Sequence, residues 1–495
     1  MDNNFSAYIT NYKKLLKEVF RNRFDDEFSV DRMLTKEELD KIMGETPLSV
    51  AIPAEYGGRG AKVKECLAVL SAASYESLDL SLTFGINIAL FLEPVAKYGR
   101  EEVKERVFKN FLDHKQMGGL MITEPDYGSD ALNMQTWNQK FDHSYKIKGT
   151  KHWQGLTGMA DYWLVTSRNK DENGNLSRDI DIFVSEESKT DQKIVVEKLY
   201  NNLGLKLIPY GLNKIDIVVP EENKLIPKTS GIKMLLDILH RSRLQFPGMA
   251  MGFVKRMLDD SIKHCNNRIV SKKKLIDLDQ VKYQIAQIQS AFTMISAMCH
   301  HSSTMSGIDQ ELSGEGIQAN IMKALSTDLM HLSSQTFTQL SGANGYRMNN
   351  IGGRGIMDSR AFQIFEGSNE MLYSQIGEMM IKLMRRKKEF NIYNFFEKYP
   401  LADKAASFFK NEINFNLSLG LNQRKLVDLG RMLSRIIASN YVLDLGKKGF
   451  RQDLVKQCLE NMKVEISSFV GSFHANNETI PIEDYKENSQ WFGFV

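Results

Sequence analysis

The spacing of apolar residues changes twice along this chain, and that change constrains its fold more than any other feature. Up to about residue 118, apolar residues recur at helical spacing, interrupted by a Gly-rich loop at 53–60. From about 120 the period falls to two, which predicts strands at 145–148, 161–168, 179–184 and 215–219. After Pro227 helical spacing returns in segments whose lengths suit a four-helix bundle, at about 230–267, 275–306, 314–341 and 367–386.

These segments predict an α+β fold, mostly α, with an N-terminal helical domain, a middle β domain, a C-terminal four-helix bundle and a helical C-terminal extension. The expected boundaries are 1–119, 120–226, 227–388 and 389–495. Several domains are expected at 495 residues, because single hydrophobic cores stop growing at roughly 250 to 300 residues. Pro247 and Gly248 lie inside the first long helical segment and predict a bend there.

Charge and cysteine content argue against several classes of protein. Lys and Arg total 64 against 61 Asp and Glu, and the formal charge of +3 is too small to indicate nucleic acid or an anionic membrane as the main partner. The four cysteines are far apart and form no CxxC pair, which favours a reducing compartment and no metal site. We expect no transmembrane segment and a cytoplasmic location, because the sequence shows neither a run of about 18 apolar residues nor a signal or transit peptide.

Two segments of the β region carry groups suited to a ligand. Met121–Asp130 passes from an apolar run into a turn whose hydroxyls and backbone N–H groups can bind a polar ring edge or a phosphate. An ordinary capped turn is the alternative. Lys151–Gly155 places Trp153 beside a glycine, and its indole either presses on a ligand or fills the core of the β domain. Core packing is the usual role of a lone tryptophan.

Two segments of the helical region also carry candidate chemistry. Gln339–Tyr346 is a helix end that runs into a Gly-rich turn, which either lets the backbone approach a pyrophosphate or simply stops the helix. Phe365–Glu370 places Glu366 among aromatic and aliphatic neighbours, where desolvation would raise the pKa of its carboxyl and make it a stronger base. The alternative for Glu366 is a helix N-terminal acid favoured by the macrodipole.

Together these four segments resemble the acyl-CoA dehydrogenase family over about residues 45–385. The loop Ile52–Gly58 is similar to the family's N-terminal-domain loop, and Thr123–Pro125 with Gly128–Asp130 resembles its flavin-contacting signature. Gln339–Tyr346 and Phe365–Ser368 are similar to its C-terminal pair of motifs. The resemblance implies the family's helix–β–helix architecture, which agrees with the periodicity, and FAD as cofactor.

The resemblance also implies which residues hold the flavin. Thr123 and Ser129 would hydrogen-bond the isoalloxazine edge, Trp153 would pack on the ring, and Ser368 would keep a hydroxyl for the cofactor. Arg268, Gln339 and Gly342 would reach the pyrophosphate of FAD held by a neighbouring subunit, within a homodimer or homotetramer. The implied cofactor contacts are Ile122, Thr123, Gly128, Ser129, Trp153, Gly155, Arg268, Gln280, Gln339, Gly342, Ala343, Ser368 and Glu370.

The reaction implied by the resemblance is the dehydrogenation of an acyl thioester. Glu366 would abstract the α-proton while the β-hydride leaves for flavin N5, which gives a trans-2-enoyl thioester. Some members place the base on an earlier helix, but Arg241 and Ser242 are not carboxylates, so Glu366 is the matching base. Arg243 would tune it electrostatically, with a surface salt bridge as the alternative. The substrate would be an acyl-CoA or acyl-carrier-protein thioester, and an electron-transfer flavoprotein would accept the electrons.

Several positions depart from the family pattern. Gly155 stands where the family usually offers a Thr or Ser hydroxyl to flavin N5, and a glycine there is more similar to the acyl-CoA oxidases, which use oxygen. Ile269–Lys272 replaces the usual Phe-Gly after Arg268, and Gln280 falls one residue late. Ala343 replaces the second glycine of the pyrophosphate turn, a mild change if its backbone stays out of the left-handed region.

Two alternatives to a dehydrogenase therefore stay open. One is an acyl-CoA oxidase, and the other is a flavin-binding assembly scaffold with little turnover. Glu366 argues against the scaffold, which has no need of a base in an apolar setting. The C-terminal extension is absent from short- and medium-chain members, and we favour an interface or structural role for it over a cover for a long acyl tunnel or a membrane contact.

Overall fold

The computed structural model describes residues 3–24, 33–418, 420–475, 480–486 and 488–495. Its N-terminal part is helical, as predicted. Thr35 and Ser77 each start a helix as its N-cap, because the side-chain oxygen accepts a hydrogen bond from the backbone N–H three residues on. The helices of this part are α1 (Asn3–Phe24), α2 (Lys36–Gly44), α3 (Val63–Glu76), α4 (Leu78–Asn87), α5 (Glu93–Tyr98) and α6 (Glu101–His114).

The middle part is a sheet with strands β1 (Gly118–Met121), β2 (Trp137–Phe141), β3 (Ser144–Gly155), β4 (Tyr162–Asn169), β5 (Asp181–Glu186), β6 (Val195–Leu199) and β7 (Tyr210–Pro220). Their order is β1-β4-β2-β3-β7-β6, and β5 pairs with β4. The four predicted strands are confirmed: 145–148 and 215–219 lie within β3 and β7, and 161–168 and 179–184 overlap β4 and β5. The alternation rule does not find β1, in which every residue is buried, or β6, in which every residue is exposed.

Long helices at bounds close to the predicted ones form the bundle. They are α7 (Gly231–Asn267), α8 (Asp279–Met305), α9 (Gly316–Ser341) and α11 (Asn369–Lys387), and the shorter α10 (Ile351–Phe362) precedes α11. Pro247, where a bend was expected, lies within α7 without interrupting the helix. Periodicity does not predict α10, because its glycines disfavour a helix. A Cβ at Gly355 would lie 2.8 Å from the Phe253 ring, so close packing accounts for that glycine.

The C-terminal extension is helical, as predicted, and packs directly on the bundle. Its helices are α12 (Ile392–Phe396), α13 (Asp403–Ala406), α14 (Lys410–Ile413), α15 (Gln423–Lys447) and α16 (Gln452–His474). The backbones of α15 and α11 approach closely at Gly430, where a Cβ would lie 2.0 Å from the carbonyl oxygen of Tyr373. The extension therefore buttresses the helix that follows Glu366.

One helical stretch, Leu78–Tyr98, is long and apolar enough to cross a membrane by length and composition. A π-helical turn, Ile88–Leu92, joins α4 to α5 within it. In its most apolar window, 94% of the residues are buried inside the protein. The core helix of a soluble protein passes the same test, and the burial of this stretch agrees with a core position.

A cluster of charged groups is buried between α5 and α7. Gln245 donates from Nε2 to both carboxylate oxygens of Glu93, at 2.9 and 2.8 Å. The Nζ of Lys97 lies 2.9 Å from Oδ1 of Asp237, which also forms an ion pair with Arg241. Burial raises the pKa of Glu93 to about 7, although Arg241 and the Gln245 hydrogen bonds favour its charged form.

This raised pKa predicts a pH dependence of stability. The folded protein holds the Glu93 proton more tightly than the unfolded chain, whose glutamates titrate near 4.5. The free energy of unfolding should therefore fall by up to about 3 kcal/mol as pH rises from about 4.5 to about 7. Glu93→Gln should remove this loss. Thermal unfolding at a series of pH values measures it, with the exposed Glu102→Gln as control, and equal pH slopes in both variants would contradict the assignment.

Candidate active site

Glu366 lies in the short connection between α10 and α11. Its backbone is left-handed, with φ of 52°, and Gly367 follows at 94°. Glycine adopts this region freely, whereas a glutamate there is uncommon and marks a strained position of the kind found at functional sites. Ser368 then starts α11 as its N-cap, accepting a hydrogen bond from the backbone N–H of Met371. Glu366 thus precedes the helix and is not an acid of its first turn.

The Glu366 carboxylate is only partly satisfied. Its Oε1 accepts a hydrogen bond of 2.9 Å from the Ser242 hydroxyl on α7. Its Oε2 is buried and has no hydrogen-bond partner among the residues that the structure describes. Burial raises the pKa of this carboxyl, against the lowering effects of Arg243, the Ser242 hydrogen bond and Lys323. The raised pKa agrees with the desolvated base expected from the sequence.

Arg243 contacts the backbone of Glu366. Its Nη2 donates to the Glu366 carbonyl at 2.8 Å, and its Nη1 donates to Oδ1 of Asn320 on α9 at 2.7 Å. Only 9% of Arg243 is exposed, so the alternative of a surface salt bridge is wrong. Burial lowers the pKa of Arg243, while the charge of Glu366 raises it. The arginine therefore both holds the segment and favours the carboxylate.

Lys323 on α9 is a buried lysine beside the same segment, and the sequence pattern alone did not single it out. Its Nζ donates to the carbonyl of Gly367 at 2.7 Å and to Oδ1 of Asn369 at 2.9 Å. Burial lowers the pKa of Lys323 to about 7, although Glu366 favours its charged form. The available signal was a lysine within the apolar run Ala319–Leu325, since such residues are rarely buried without a partner.

Trp153 projects from the β domain rather than filling its core. It is 53% exposed, its φ is 61°, and its ring centroid lies 4.5 Å from that of Tyr200. Core packing, the usual role of a lone tryptophan, is therefore wrong here. The indole is available to a planar ligand at the C-terminal end of β3. We call this position, formed by Trp153 and Gly155, the Trp153 edge.

Gly155 follows Trp153 near the end of β3 and has close neighbours. It pairs with Tyr210 on β7, and a Cβ at Gly155 would lie 2.7 Å from Cδ1 of Ile86. Burial raises the pKa of Tyr210, and the nearby charges of Asp79 and Glu366 raise it further. Tyr210 therefore lies near Trp153, with ring centroids 6.5 Å apart, and within reach of the charge of Glu366. The sequence pattern alone did not single it out.

A buried ion pair organises the loop after β1. The Nζ of Lys151 lies 3.0 Å from Oε1 of Glu124 and donates to the carbonyl of Ile122 at 2.8 Å. Glu124 in turn accepts hydrogen bonds from the backbone N–H groups of Gln135 and Thr136, at 2.6 and 2.9 Å. Burial lowers the pKa of Lys151 to about 8. Lys151 on β3 thereby fixes the start of the loop at Ile122 directly and its end at Gln135 and Thr136 through Glu124.

The residues predicted to contact the flavin in this loop lie at its accessible side. The Thr123 carbonyl accepts a hydrogen bond of 2.9 Å from the backbone N–H of His152, the residue before Trp153. The Thr123 side chain is half-buried. Gly128 and Ser129 are exposed, and a Cβ at Gly128 would meet only open space. The loop is therefore fixed at Ile122 and Glu124, whereas Gly128 and Ser129 stay exposed.

Five residues predicted to contact FAD lie at helix ends and are exposed in the single chain. They are Arg268 after α7, Gln280 in the first turn of α8, Gln339 in the last turn of α9, and Gly342 with Ala343 beyond it. Gly342 has a φ of 60°, whereas Ala343 lies outside the left-handed region, so the alanine is compatible with this turn.

The Ile269–Lys272 stretch, which departs from the family pattern, forms a small hairpin of β8 (Ile269–Val270) and β9 (Lys273–Lys274), with Ser271 and Lys272 left-handed at its turn. Glu370 is exposed on α11 and lies 3.7 Å from Arg431 of the extension. The structure thus brings Glu366 and Arg243 together, places Tyr210 near Trp153 and within reach of the Glu366 charge, and leaves the helix-end residues at the surface.

Three family models match this chain in succession. They are the N-terminal domain of acyl-CoA dehydrogenase over residues 11–115, the middle domain over 119–216 and the C-terminal domain over 229–381. The chain belongs to the acyl-CoA dehydrogenase family. It is accordingly an FAD-dependent oxidoreductase acting on CH–CH groups, and the family and cofactor expected from the sequence are confirmed.

Curated relatives agree with this placement. An acyl-CoA dehydrogenase of Bacillus subtilis is 23% identical over 340 residues, which cover 68% of this chain and 87% of that protein. A short-chain-specific acyl-CoA dehydrogenase of Megasphaera elsdenii is 24% identical over 364 residues, covering 70% of this chain and 90% of that protein.

Solved structures share the fold. An acyl-CoA dehydrogenase complexed with FAD from Bacillus anthracis superposes with a TM-score of 0.74 at 17% identity, covering 96% of this chain and 88% of that one. Butyryl-CoA dehydrogenase from Megasphaera elsdenii gives 0.66 at 21% identity, covering 77% and 100%. Because the first match covers 96% of this chain, it includes most of the C-terminal extension of this protein. The extra helices therefore occur in a solved variant of the fold.

The residues of this edge fit FAD. A flavin needs a flat apolar surface and hydrogen-bonding groups at the rim of its ring, and here the exposed indole of Trp153 stands beside the loop that carries Thr123 and Ser129. The open space at Gly128 leaves room for close approach to the backbone. The Ser341 hydroxyl, next to Gly342, is buried without a hydrogen-bond partner among the described residues, which marks a second polar position for a ligand.

Proposed function

We propose that this protein converts an acyl-CoA thioester to the trans-2-enoyl thioester, with Glu366 as the base that removes the α-proton. The observation that carries this proposal is the buried Oε2 of Glu366, which has no hydrogen-bond partner among the described residues while Oε1 is held by Ser242. An unpartnered, desolvated carboxylate oxygen is available to take a proton from carbon.

The surrounding residues orient this base. Ser242 fixes one carboxylate oxygen, and Arg243 fixes the backbone carbonyl, so the other oxygen has a defined direction. Phe365, the residue before Glu366, packs in an aromatic cluster. Its ring centroid lies 6.1 Å from that of Phe246 and 4.9 Å from that of Phe362. Burial raises the pKa of the Glu366 carboxyl, which makes it a stronger base.

FAD, when bound, supplies an acceptor for the β-hydride. We place it at the Trp153 edge. The residues that would hold it within one chain are Ile122, Thr123, Gly128, Ser129, Trp153, Gly155, Ser368 and Glu370. The exposed helix-end residues would serve a neighbouring subunit in a homodimer or homotetramer: Arg268, Gln280, Gln339, Gly342 and Ala343.

We propose an electron-transfer flavoprotein as acceptor and a cytoplasmic location. Oxygen is the competing acceptor, because position 155 has no hydroxyl and a Cβ there would lie 2.7 Å from Ile86. An acyl-carrier-protein thioester is the competing substrate.

The visible spectrum and anaerobic mixing with an acyl-CoA panel test the proposal. We expect bound flavin whose absorption bleaches with an acyl-CoA and recovers slowly in air. Fast recovery with hydrogen peroxide would instead identify an oxidase. A flavin that no acyl-CoA reduces would contradict both enzymes and favour the scaffold.

A further inference from the structure

The segment that carries Glu366 is held from two sides by buried cations. Arg243 on α7 donates to the carbonyl of Glu366 at 2.8 Å, and Lys323 on α9 donates to the carbonyl of Gly367 at 2.7 Å. Glu366 and Gly367 are the two consecutive left-handed residues, with φ of 52° and 94°. A strained backbone persists only where its surroundings over-determine it, and these two hydrogen bonds do so here.

Lys323 is itself fixed in place. It donates to Oδ1 of Asn369 at 2.9 Å, and Nδ2 of Asn369 donates to Oδ1 of Asp328 at 2.7 Å. The other oxygen of Asp328 accepts a hydrogen bond of 2.7 Å from the Tyr373 hydroxyl on α11. The ammonium therefore cannot move without disturbing α11, so it transmits a defined position to Gly367.

We propose that Lys323 is a positioning residue for the reaction: it holds Glu366 in its left-handed conformation through the Gly367 carbonyl, and its charge favours the carboxylate form of this base. The inference rests on the proposed function, which makes Glu366 the base. Lys323 acts through the Gly367 carbonyl and through its electric field, since its Nζ donates to Gly367 and Asn369.

The electrostatic coupling is reciprocal. The charge of Glu366 raises the pKa of Lys323 against burial, and the charge of Lys323 lowers the pKa of Glu366 against burial. Other charged groups that act on this pair are Arg243 on α7, Asp328 on α9 and Glu370 on α11. Tyr210 on β7 is a titratable group on which the charge of Glu366 acts. Removing the lysine charge leaves Arg243 as the cation that opposes the desolvation of Glu366.

Lys323→Met tests this role, because methionine keeps the length of the side chain without its charge. Two titrations are compared with wild type. One is the infrared band of the protonated Glu366 carboxyl, assigned by its loss in Glu366→Gln, and the other is the rate of flavin reduction by an acyl-CoA. We expect both midpoints to rise by about one pH unit, which corresponds to about tenfold slower reduction well below the midpoint. Lys323→Arg should restore the wild-type midpoint.

The outcomes separate the two proposals. A uniform loss of rate at every pH, with unchanged midpoints, would show a merely structural lysine and overturn the inference. If Lys323→Met does not fold, Lys323→Gln takes its place, with the same expected shift. The infrared titration needs no turnover, so wild-type protein that no acyl-CoA reduces would end the proposed function, while the infrared midpoints would still show whether Lys323 sets the charge of Glu366. Reduction of the wild type with midpoints unchanged in the variant would end this inference alone.

Discussion

Glu366→Gln is expected to slow flavin reduction by an acyl-CoA about 10³-fold while the flavin stays bound. Glutamine keeps the shape of the side chain and can still accept the hydrogen bond from Ser242, which is 2.9 Å long in the wild type. It cannot take a proton at the position of Oε2. Anaerobic stopped-flow absorption at the oxidised-flavin band measures the rate, at acyl-CoA concentrations that saturate binding.

The matched control for this experiment is Glu378→Gln. Glu378 is an exposed glutamate on α11, so the substitution makes the same change of charge and shape away from the connection that carries Glu366. We expect a wild-type rate for it. If Glu366→Gln reduced its flavin at the wild-type rate as well, Glu366 would not be the base, and another group would have to remove the α-proton.

The helix–β–helix order could be predicted because each part has a strong local signal. The strand β3 alternates at Tyr145–Lys148 and the helix α9 carries a long helical pattern of apolar residues, and neither pattern depends on distant contacts. Elements without such a pattern could not be predicted. In α10, packing of Gly355 against Phe253 outweighs the low helix propensity of glycine.

The position of Glu366 as a desolvated acid could also be predicted, since Phe362 and Phe365 are its neighbours in sequence. Its left-handed backbone could not, because φ there depends on hydrogen bonds from α7 and α9. Lys323 was missed for the same reason: it is 43 positions from Glu366, and only the fold brings the two together. Trp153 shows the opposite error, since hydrophobicity suggested burial for a side chain that the fold leaves exposed.

Lys151→Met is expected to destabilise the β domain by about 3–5 kcal/mol and to weaken FAD retention. The substitution leaves the Glu124 carboxylate buried without its cation, and removing one partner of a buried ion pair costs more than the pair itself contributes. It also frees the carbonyl of Ile122, which Lys151 holds at 2.8 Å. Because the loop that carries Thr123 and Ser129 begins there, its ordering should be lost together with stability.

Thermal unfolding and the flavin-to-protein absorbance ratio after gel filtration measure the two effects. Lys148→Met is the control on the same strand, because Lys148 is exposed and lies 3.6 Å from Asp216 in a solvent-accessible ion pair. Such pairs contribute at most about 1 kcal/mol, so its melting temperature should stay near the wild-type value. Equal melting temperatures and flavin contents for the two variants would mean that the buried pair does not order the loop. A destabilised Lys151→Met protein that retains its full flavin would separate the stability of the β domain from cofactor binding.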